Sequence, residues 1–370
     1  MKIALVHDYL REYGGAERVL EALHELHPEA PVYVGFVDQQ ALGRHWQNFA
    51  DWEIRETWLA KLPLIKRLYS PYRVLAAKAF RSLDLSEYEV VISSSNAYMA
   101  KAVQVPQGKH LCYCHTPPRA LYGYSTMTNW RGRPVVRLVG TLINHLMRVV
   151  DFQVAQQVDQ FIANSVETQQ RIKKFYRRES VVINPPVKVA EGMEKGAADE
   201  GYFLYVSRLA FAKHPELAVQ SANQLGLRLK VAGAGAMLAE LQALAGETVE
   251  FLGSVSDDEL RRLYQHATAL LYPVEDEDFG MVPVEAMGYG VPVIAHRSGG
   301  PLETIIDGET GIFFDELTVE GLNDAIHQFL AKEKSAKTRF DRRQIHRHAQ
   351  QFGQAAFNKK IKAVVAAAQN

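Results

Sequence analysis

The segment EDEDFGMVPVEAMGYGVPVIA, residues 275–295, follows the apolar run ALLYPV and decides the fold class. Its acidic loop leads into a short helical pattern and then into a second apolar run, which is typical of a β–α–β unit with parallel strands. Glu277 in the loop and Glu285 inside the predicted helix are separated by seven residues. These acids have three possible interpretations: they bind a metal ion, they complement the helix dipole, or they accept hydrogen bonds from a polyhydroxylated ligand.

The same alternation of apolar β-rich runs and helical patterns extends along almost all of the 370 residues. It is interrupted by KVAEGMEKGAADEG, residues 188–201, whose small and charged residues are typical of a linker. The sequence therefore predicts an α/β protein with two Rossmann-like domains, 1–187 and 188–352, whose parallel sheets face each other across a deep cleft. The terminal segment 342–369 is predicted as one long helical stretch, of which about 353–370 packs back on the first domain.

Composition excludes several classes of protein. Hydrophobic residues make up 47% of the chain, as expected where real cores are buried, and 42 basic residues balance 42 acidic ones, so nucleic acid is not a predicted partner. No window approaches the roughly 18 to 20 apolar residues of a membrane span, and the N-terminal apolar run is too short for a signal peptide. Cys112 and Cys114 alternate onto one face of a predicted strand, where we expect buried thiols in a reducing, cytoplasmic compartment.

Ligands of open parallel sheets bind beyond the carboxyl ends of the strands, so residues that follow strands were considered as site candidates. Gly14 and Gly15 lie between the first strand and the first helix, where backbone N–H groups can approach an anion. Arg208 and Lys213 bracket the loop after another strand, and two cations there suit a diphosphate. The alternatives are that the paired glycines form a simple turn and that the two cations are solvated surface residues.

Two further motifs argue against particular cofactors. VAGAGAML, residues 231–238, imitates a dinucleotide fingerprint but lacks its third glycine, and the next strand does not end in the acid that would hold a ribose hydroxyl. A nicotinamide site is therefore not predicted. Asp276 and Asp278 form an Asp-x-Asp pair that can hold a divalent cation, but the chain turns apolar at once and offers no further oxygen ligands nearby.

Taken together, EDFGMVPVEAMGYGVPVIA, YGGAE, CYCHTPPR, VSRLAFAKHPE, AGAGAML, FLGSVSDDEL and SGGPLETIIDGETGIFF resemble, in order, the motifs of the retaining glycosyltransferases of family 4, which have the GT-B fold. The form CYCHTPPRALY further resembles mannosyltransferases of bacterial O-antigen and exopolysaccharide assembly. The resemblance covers nearly the whole chain. It implies that the acids grip sugar and ribose hydroxyls, and that no metal or other cofactor is needed beyond the nucleotide-diphosphate sugar donor.

The resemblance also implies a role for each candidate residue. Gly15 corresponds to a backbone contact near the donor phosphates, and Arg208 and Lys213 to the pair that neutralises the diphosphate. Glu277 corresponds to the acid on the donor sugar and Glu285 to the acid on the ribose. The resemblance implies that His115 faces the transferred sugar and that Val255 contacts the nucleobase. It also implies that backbone amides contact the sugar, and these belong to Phe279, Gly280 and Met281.

The resemblance implies transfer of a sugar, with mannose from GDP-mannose favoured, to a glycan or polyprenyl-diphosphate-linked acceptor. His214 stands where many relatives carry glycine, and we expect only a small change of loop shape there. Alternatives are a nucleotide-sugar epimerase of the same fold and a non-catalytic subunit of a polysaccharide assembly complex.

Two basic and apolar stretches, 55–81 and 131–148, predict attachment to an anionic membrane surface, on the inner face of the cytoplasmic membrane. Packing of their apolar sides on the first domain's own sheet is the alternative for those stretches.

Overall fold

The computed structural model describes residues 1–125, 134–189, 192 and 199–368. The chain divides into two compact units. The first comprises Met1–Tyr124, Arg131–Pro186 and Gln354–Asn370, and most of the second is Val187–Gly353. The sequence-based boundary lies at 187/188. Most of the linker segment predicted there, 190–191 and 193–198, is outside the described residues.

The first unit is built on a seven-stranded parallel sheet with the order β3-β2-β1-β4-β5-β6-β7. Its strands are β1 Ile3–His7, β2 Val32–Val34, β3 Ile54–Glu56, β4 Val90–Ser95, β5 Lys109–Cys114, β6 Gln160–Ala163 and β7 Ser180–Val182. The three-residue edge strand β3 was not predicted, because its sequence, IRE, carries no apolar alternation. The cysteines Cys112 and Cys114 both lie in one buried cluster and are not bonded to each other, as predicted.

Helices cover both faces of this sheet. They are α1 Gly15–Leu26, α2 Gln39–Leu42, α3 Ile65–Arg81, α4 Arg119–Tyr122, α5 Pro134–Ala155 and α6 Val166–Tyr176. At the start of α1, the Glu17 side chain accepts a hydrogen bond from the amide of the N-cap residue Gly14. The crossover connections that parallel strands require place the end of each strand and the start of the next helix at one edge of the sheet.

The second unit is a six-stranded parallel sheet with the order β10-β9-β8-β11-β12-β13. Its strands are β8 Tyr202–Val206, β9 Leu229–Ala232, β10 Val249–Gly253, β11 Ala267–Tyr272, β12 Val293–His296 and β13 Gly311–Phe314. Five of them lie within runs that the sequence predicts as strands, and β11 begins two residues before its run, ALLYPV. Most of their side chains are buried, as expected for a parallel sheet with helices on both faces.

The helices of the second unit and the end of the chain follow the same pattern. They are α7 Pro215–Leu225, α8 Leu238–Leu244, α9 Asp257–His266, α10 Met281–Gly288, α11 Pro301–Thr304, α12 Val319–Glu333, α13 Arg342–Ala349 and α14 Gln354–Ala367. The prediction of one long terminal helix was wrong: a 3-10 turn, Gln350–Phe352, and the extended residue Gly353 separate α13 from α14. α13 packs on α10 in the second unit, whereas Phe357, Ile361 and Val365 of α14 lie in the first unit's core.

Candidate functional site

The second unit gathers an acid and a base at the carboxyl ends of two adjacent strands. Lys213 lies in the 3-10 turn after β8, and Glu277 lies in the loop after β11. The Lys213 ammonium donates a hydrogen bond to Glu277 Oε2, which also accepts one from the Tyr272 hydroxyl at 2.8 Å. Both charged side chains are only 13% exposed. Two residues that the sequence assigned to different parts of one ligand are therefore direct partners, and Tyr272, which no sequence signal had indicated, orients the acid.

Glu285 and Val255 are connected through α9 rather than through Glu277. Glu285 is buried within α10 and accepts a hydrogen bond from the Tyr264 hydroxyl at 3.2 Å. Tyr264 lies on α9, which begins two residues after Val255. Val255 itself lines a pocket of about 380 Å³ over β8 and β9, and none of the other predicted site residues lines that pocket. The structure thus places Val255 just before α9 and Glu285 on α10, and the Tyr264–Glu285 hydrogen bond joins these two helices.

The loop that carries Glu277 is held in place by glycines that the sequence analysis did not assign. Gly300, after β12, donates its amide hydrogen to the Glu277 carbonyl at 2.7 Å. A Cβ on Gly300 would lie 2.3 Å from Phe279 Cα, and one on Gly299 would lie 2.3 Å from the Glu277 carbonyl oxygen. Only glycine permits this approach of two backbones. Gly280 then adopts a left-handed conformation, φ +85°, and α10 begins at Met281.

Gly233 and Gly235 have a structural explanation of the same kind. A Cβ on Gly233 would lie 1.9 Å from the Ser207 carbonyl oxygen, and one on Gly235 would lie 2.1 Å from that of Leu209. The loop after β9 therefore packs directly on the loop after β8, which carries the exposed Arg208 and the partly buried Lys213. These glycines support the predicted phosphate loop by close backbone packing.

His214 keeps the backbone that glycine adopts without cost. Its φ of +46° and ψ of +46° are left-handed, and the residue serves as the N-cap of α7 with Pro215 at the first helical position. Its Nδ1 lies 3.1 Å from Glu216 Oε1. The loop that follows Lys213 thus has a glycine-like conformation despite the histidine.

The Asp276 and Asp278 pair shows no metal-binding geometry. Asp276 has a left-handed backbone, φ +54°, and its amide donates to the Ser298 hydroxyl at 2.9 Å, which ties the loop to the segment after β12. Across the residues that the structure describes, no group of three or more His, Cys, Asp or Glu side chains could hold a metal ion. The independence of metal that the resemblance implies stays a prediction for the protein in solution.

In the first unit, His115 follows β5 and lies among buried polar groups. Its Nε2 is 2.8 Å from the Ser94 hydroxyl, and the same hydroxyl is 3.0 Å from His7 Nδ1. Burial, followed by the nearby His7, lowers the pKa of His115 to about 3. The ring is therefore neutral near pH 7, where it can act as a hydrogen-bonding group and not as a cation.

At the helix start that follows the paired glycines, the Gly14 amide has a partner within the protein. The Gly14 amide donates to Glu17 Oε2 at 2.8 Å, so a carboxylate already occupies the N–H that was expected to approach an anion. The phosphate contact predicted for Gly14 stays a prediction, and an anion that bound this amide would have to displace the Glu17 carboxylate. Gly15 is the first residue of α1, and its predicted phosphate contact stays a prediction.

Comparison with known proteins identifies the second unit. Residues 188–347 match the family model described as "Glycosyl transferases group 1". The chain carries a glycosyltransferase group 1 domain. The loop with Lys213, the loop with Glu277, and α10 with Glu285 all lie within this domain.

Curated relatives of this glycosyltransferase are similar at modest identity. The D-inositol 3-phosphate glycosyltransferase of Mycobacteroides abscessus is 26% identical over 307 residues, which are 72% of this chain and 69% of the relative. The alpha-1,3/1,6-mannosyltransferase ALG2 of Kluyveromyces lactis is 29% identical over 303 residues, 66% of this chain and 56% of the relative. A GDP-mannose-dependent mannosyltransferase of Mycolicibacterium smegmatis, named for phosphatidylinositol monomannoside, is 30% identical over 158 residues, 38% of this chain and 41% of the relative.

Solved structures share the whole fold. The Anabaena protein Alr3699/HepE in complex with UDP and glucose superposes with a TM-score of 0.72 over 99% of both chains, at 19% identity. The sucrose-phosphate synthase of Thermosynechococcus elongatus gives a TM-score of 0.73 over 99% of this chain and 98% of that one, at 20% identity. At such identities the likeness shows the fold, which is GT-B: two Rossmann-like domains with parallel sheets.

Proposed function

We propose that this glycosyltransferase moves mannose from GDP-mannose to a glycan or polyprenyl-diphosphate-linked acceptor, with retention at the anomeric carbon, in the assembly of a bacterial surface polysaccharide. The observation that carries the donor site is the Lys213–Glu277 pair at the carboxyl ends of β8 and β11, with Arg208 in the same segment after β8 as Lys213. A cation that neutralises phosphate and an acid that accepts sugar hydroxyls are adjacent there, as a nucleotide-diphosphate sugar requires. The names of the ALG2 and M. smegmatis relatives favour mannose.

The chemistry follows from the charges. Loss of the sugar leaves a nucleoside diphosphate with an added negative charge, which Arg208 and Lys213 stabilise more strongly in the transition state than in the bound donor. Glu277 orients the sugar through its hydroxyls, and Tyr272 and Lys213 hold that carboxylate in one position. The acceptor attacks on the face from which the diphosphate leaves, and a phosphate oxygen takes the proton of the acceptor hydroxyl.

A donor panel tests this proposal. Purified enzyme would be given GDP-mannose, UDP-glucose and UDP-galactose with a polyprenyl-diphosphate-linked glycan, and transfer would be followed by mass spectrometry and the anomeric configuration by NMR. We expect transfer from GDP-mannose to give the α-configured product. Preference for a uridine donor would refute the donor assignment, and a β-configured product would refute retention. Release of an isomerised nucleotide sugar would indicate the epimerase, and no turnover with any donor would indicate a non-catalytic subunit.

A mixed basic and apolar surface on the first unit supports attachment to a membrane. The apolar alternative also holds in part, because α3 buries Ile65 and Phe80 in the core. Even so, seven large apolar side chains of the α3 and α5 region are exposed to solvent: Leu64, Leu68, Val74, Leu142, Ile143, Leu146 and Val149. Three of them, Val74, Ile143 and Leu146, line a groove of about 210 Å³ between α3 and α5. Exposed apolar side chains in such number mark an interaction surface, and the exposed cations beside them, Lys61, Lys66, Arg67 and Lys78, suit anionic lipid.

The structure also limits which cations test this surface. Arg73 is partly buried and donates to Asn144 Oδ1 of α5 at 2.8 Å, so its charge reversal would disturb packing. Arg131 and Arg133 lie outside the described residues. No helix among the described parts of the chain has the length and apolarity to cross a bilayer. We propose attachment as peripheral, on the inner face of the cytoplasmic membrane.

Sedimentation with vesicles tests the surface. We expect the enzyme to bind vesicles rich in phosphatidylglycerol at low salt. Added salt should weaken binding, because it screens the attraction between each cation and the anionic surface, which contributes only about 1 kcal/mol. The pair Lys66→Glu with Arg67→Glu and the pair Leu142→Ser with Leu146→Ser should each reduce binding. Lys173→Glu with Lys174→Glu, an equal change of charge on the exposed part of α6, is the matched control. Equal binding to neutral vesicles, or an equal effect of the control, would refute the proposal.

A further inference from the structure

A buried row of polar side chains crosses three adjacent strands of the first unit. His7 is the last residue of β1, Ser94 lies in β4, and His115 follows β5, and these three strands are neighbours in the sheet. His7 and Ser94 are register partners in the parallel pair β1–β4. The row therefore lies at the carboxyl edge of the sheet, where ligands of such folds bind.

The distances join these side chains into one chain of contacts. Glu17 Oε1 lies 3.5 Å from His7 Nε2, the Ser94 hydroxyl lies 3.0 Å from His7 Nδ1, and the same hydroxyl lies 2.8 Å from His115 Nε2. The other oxygen of Glu17 is fixed by the Gly14 amide. None of the four side chains is more than 7% exposed. Buried polar groups that satisfy one another in this way rigidify the residues they connect.

The chemistry of each group gives the chain a direction. A carboxylate only accepts, so the His7 nitrogen that faces Glu17, Nε2, carries the hydrogen. In the tautomer of His7 that carries its hydrogen on Nε2, Nδ1 is an acceptor and the Ser94 hydroxyl donates to it. The Ser94 oxygen is then left to accept from His115, which places the His115 hydrogen on Nε2. The His115 ring is neutral near pH 7, so its other nitrogen, Nδ1, carries a lone pair.

We propose that Glu17, His7 and Ser94 are positioning residues that hold His115 in its Nε2–H tautomer, so that Nδ1 accepts a hydrogen bond from a hydroxyl of the transferred sugar. This inference rests on the proposed function, under which His115 faces that sugar. In the opposite tautomer of His115, Nδ1 would donate and Nε2 would accept a hydrogen bond from the Ser94 hydroxyl. This is disfavoured because the Ser94 hydroxyl donates to His7 Nδ1, and the Glu17 carboxylate holds the hydrogen of His7 on Nε2. Residues that do not contact the sugar thereby determine that His115 accepts a hydrogen bond from a sugar hydroxyl.

Nitrogen NMR tests the tautomer without any need for turnover. The enzyme would be labelled with ¹⁵N-histidine, the His115 signals assigned by their loss in His115→Gln, and the tautomer determined from long-range proton–nitrogen correlations. We expect a single Nε2–H tautomer in the wild type and a changed or mixed tautomer in Ser94→Ala. Ser94→Thr, which keeps the hydroxyl, should restore the wild-type pattern, and Glu17→Gln, which keeps the Gly14 contact, should weaken it. An Nδ1–H tautomer in the wild type, or an unchanged one in Ser94→Ala, would overturn the inference.

Kinetics test the consequence. Ser94→Ala should lower kcat/KM for the nucleotide sugar about tenfold, the loss of roughly one well-placed hydrogen bond, and Ser94→Thr should recover most of it. Binding of the nucleoside diphosphate alone should not change, since His115 is assigned to the sugar. Equal losses in both measurements would indicate structural damage and contradict a positioning role. If the wild type turns over no donor, the proposed function fails, and the NMR result still decides the tautomer.

Discussion

Replacement of Lys213 by methionine is the sharpest test of the donor site. The side chain is 13% exposed and its ammonium donates to Glu277 Oε2, so methionine keeps most of the volume and removes only the charge and the hydrogen bonds. A hydrogen bond to a charged group contributes about 1.5 to 3 kcal/mol, and each 1.36 kcal/mol is tenfold in rate. We therefore expect kcat/KM for the sugar donor to fall about 10- to 150-fold in Lys213→Met.

A double-mutant cycle shows whether the pair acts as one unit. Glu277→Gln should lower kcat/KM by a similar factor, but Lys213→Met combined with Glu277→Gln should lose less than the product of the two, because the second change removes the carboxylate that the first leaves without its cation. Lys173→Met, which breaks the exposed pair with Glu179, is the control and should leave turnover unchanged. Near-normal turnover in Lys213→Met would show that the diphosphate binds elsewhere, and strictly multiplicative losses would refute the coupling.

Three further predictions address the metal, the glycine loop and the first unit's core. Turnover should survive dialysis against EDTA, since Arg208 and Lys213 supply the positive charge; a loss that Mg²⁺ or Mn²⁺ restores would contradict this. Gly300→Ala should lower turnover at least tenfold, because its Cβ would displace the Phe279 backbone. The same change at Gly192, where a Cβ would meet no atom within 4 Å, is the control and should be tolerated; turnover and calorimetry of donor binding measure both. Lys101→Met should lower the free energy of unfolding by about 3 to 5 kcal/mol, because it leaves the wholly buried Asp151 without its cation. A lower midpoint of urea denaturation would confirm this.

The strands were predicted well because their signal is local. Each predicted strand run, for example KIALVH or TGIFFD, overlaps one observed strand, since a buried parallel strand needs a continuous apolar sequence. Only β7 and β11 begin before their predicted runs, by one and two residues. The exceptions lack such a signal. β3 reads IRE and pairs only as an edge strand, and the break between α13 and α14 depends on which unit each helix packs against. Packing partners far along the chain overrode the helical propensity of the segment after residue 342.

The candidate site shows the same division between residue identity and residue partners. Side chains whose chemistry announces itself, such as Lys213 and Glu277, were assigned from the sequence and are in contact in the structure. What the sequence did not reveal is what holds them. Tyr272 is an ordinary strand residue until its hydroxyl is seen 2.8 Å from Glu277, and Gly300 gains its importance only from the backbone that lies against it.

This difference has a physical reason that extends to the first unit. A catalytic or binding group must be of one type, so its identity is visible in one sequence, whereas an orienting group is defined by a distance between segments that are far apart in the chain. Ser94 and His115 are 21 residues apart and His7 is 87 residues from Ser94, yet the order of β1, β4 and β5 in the sheet makes them neighbours. The sheet order thus converts three unremarkable positions into one hydrogen-bonded row, and it is at such strand ends that orienting residues of this fold should be sought.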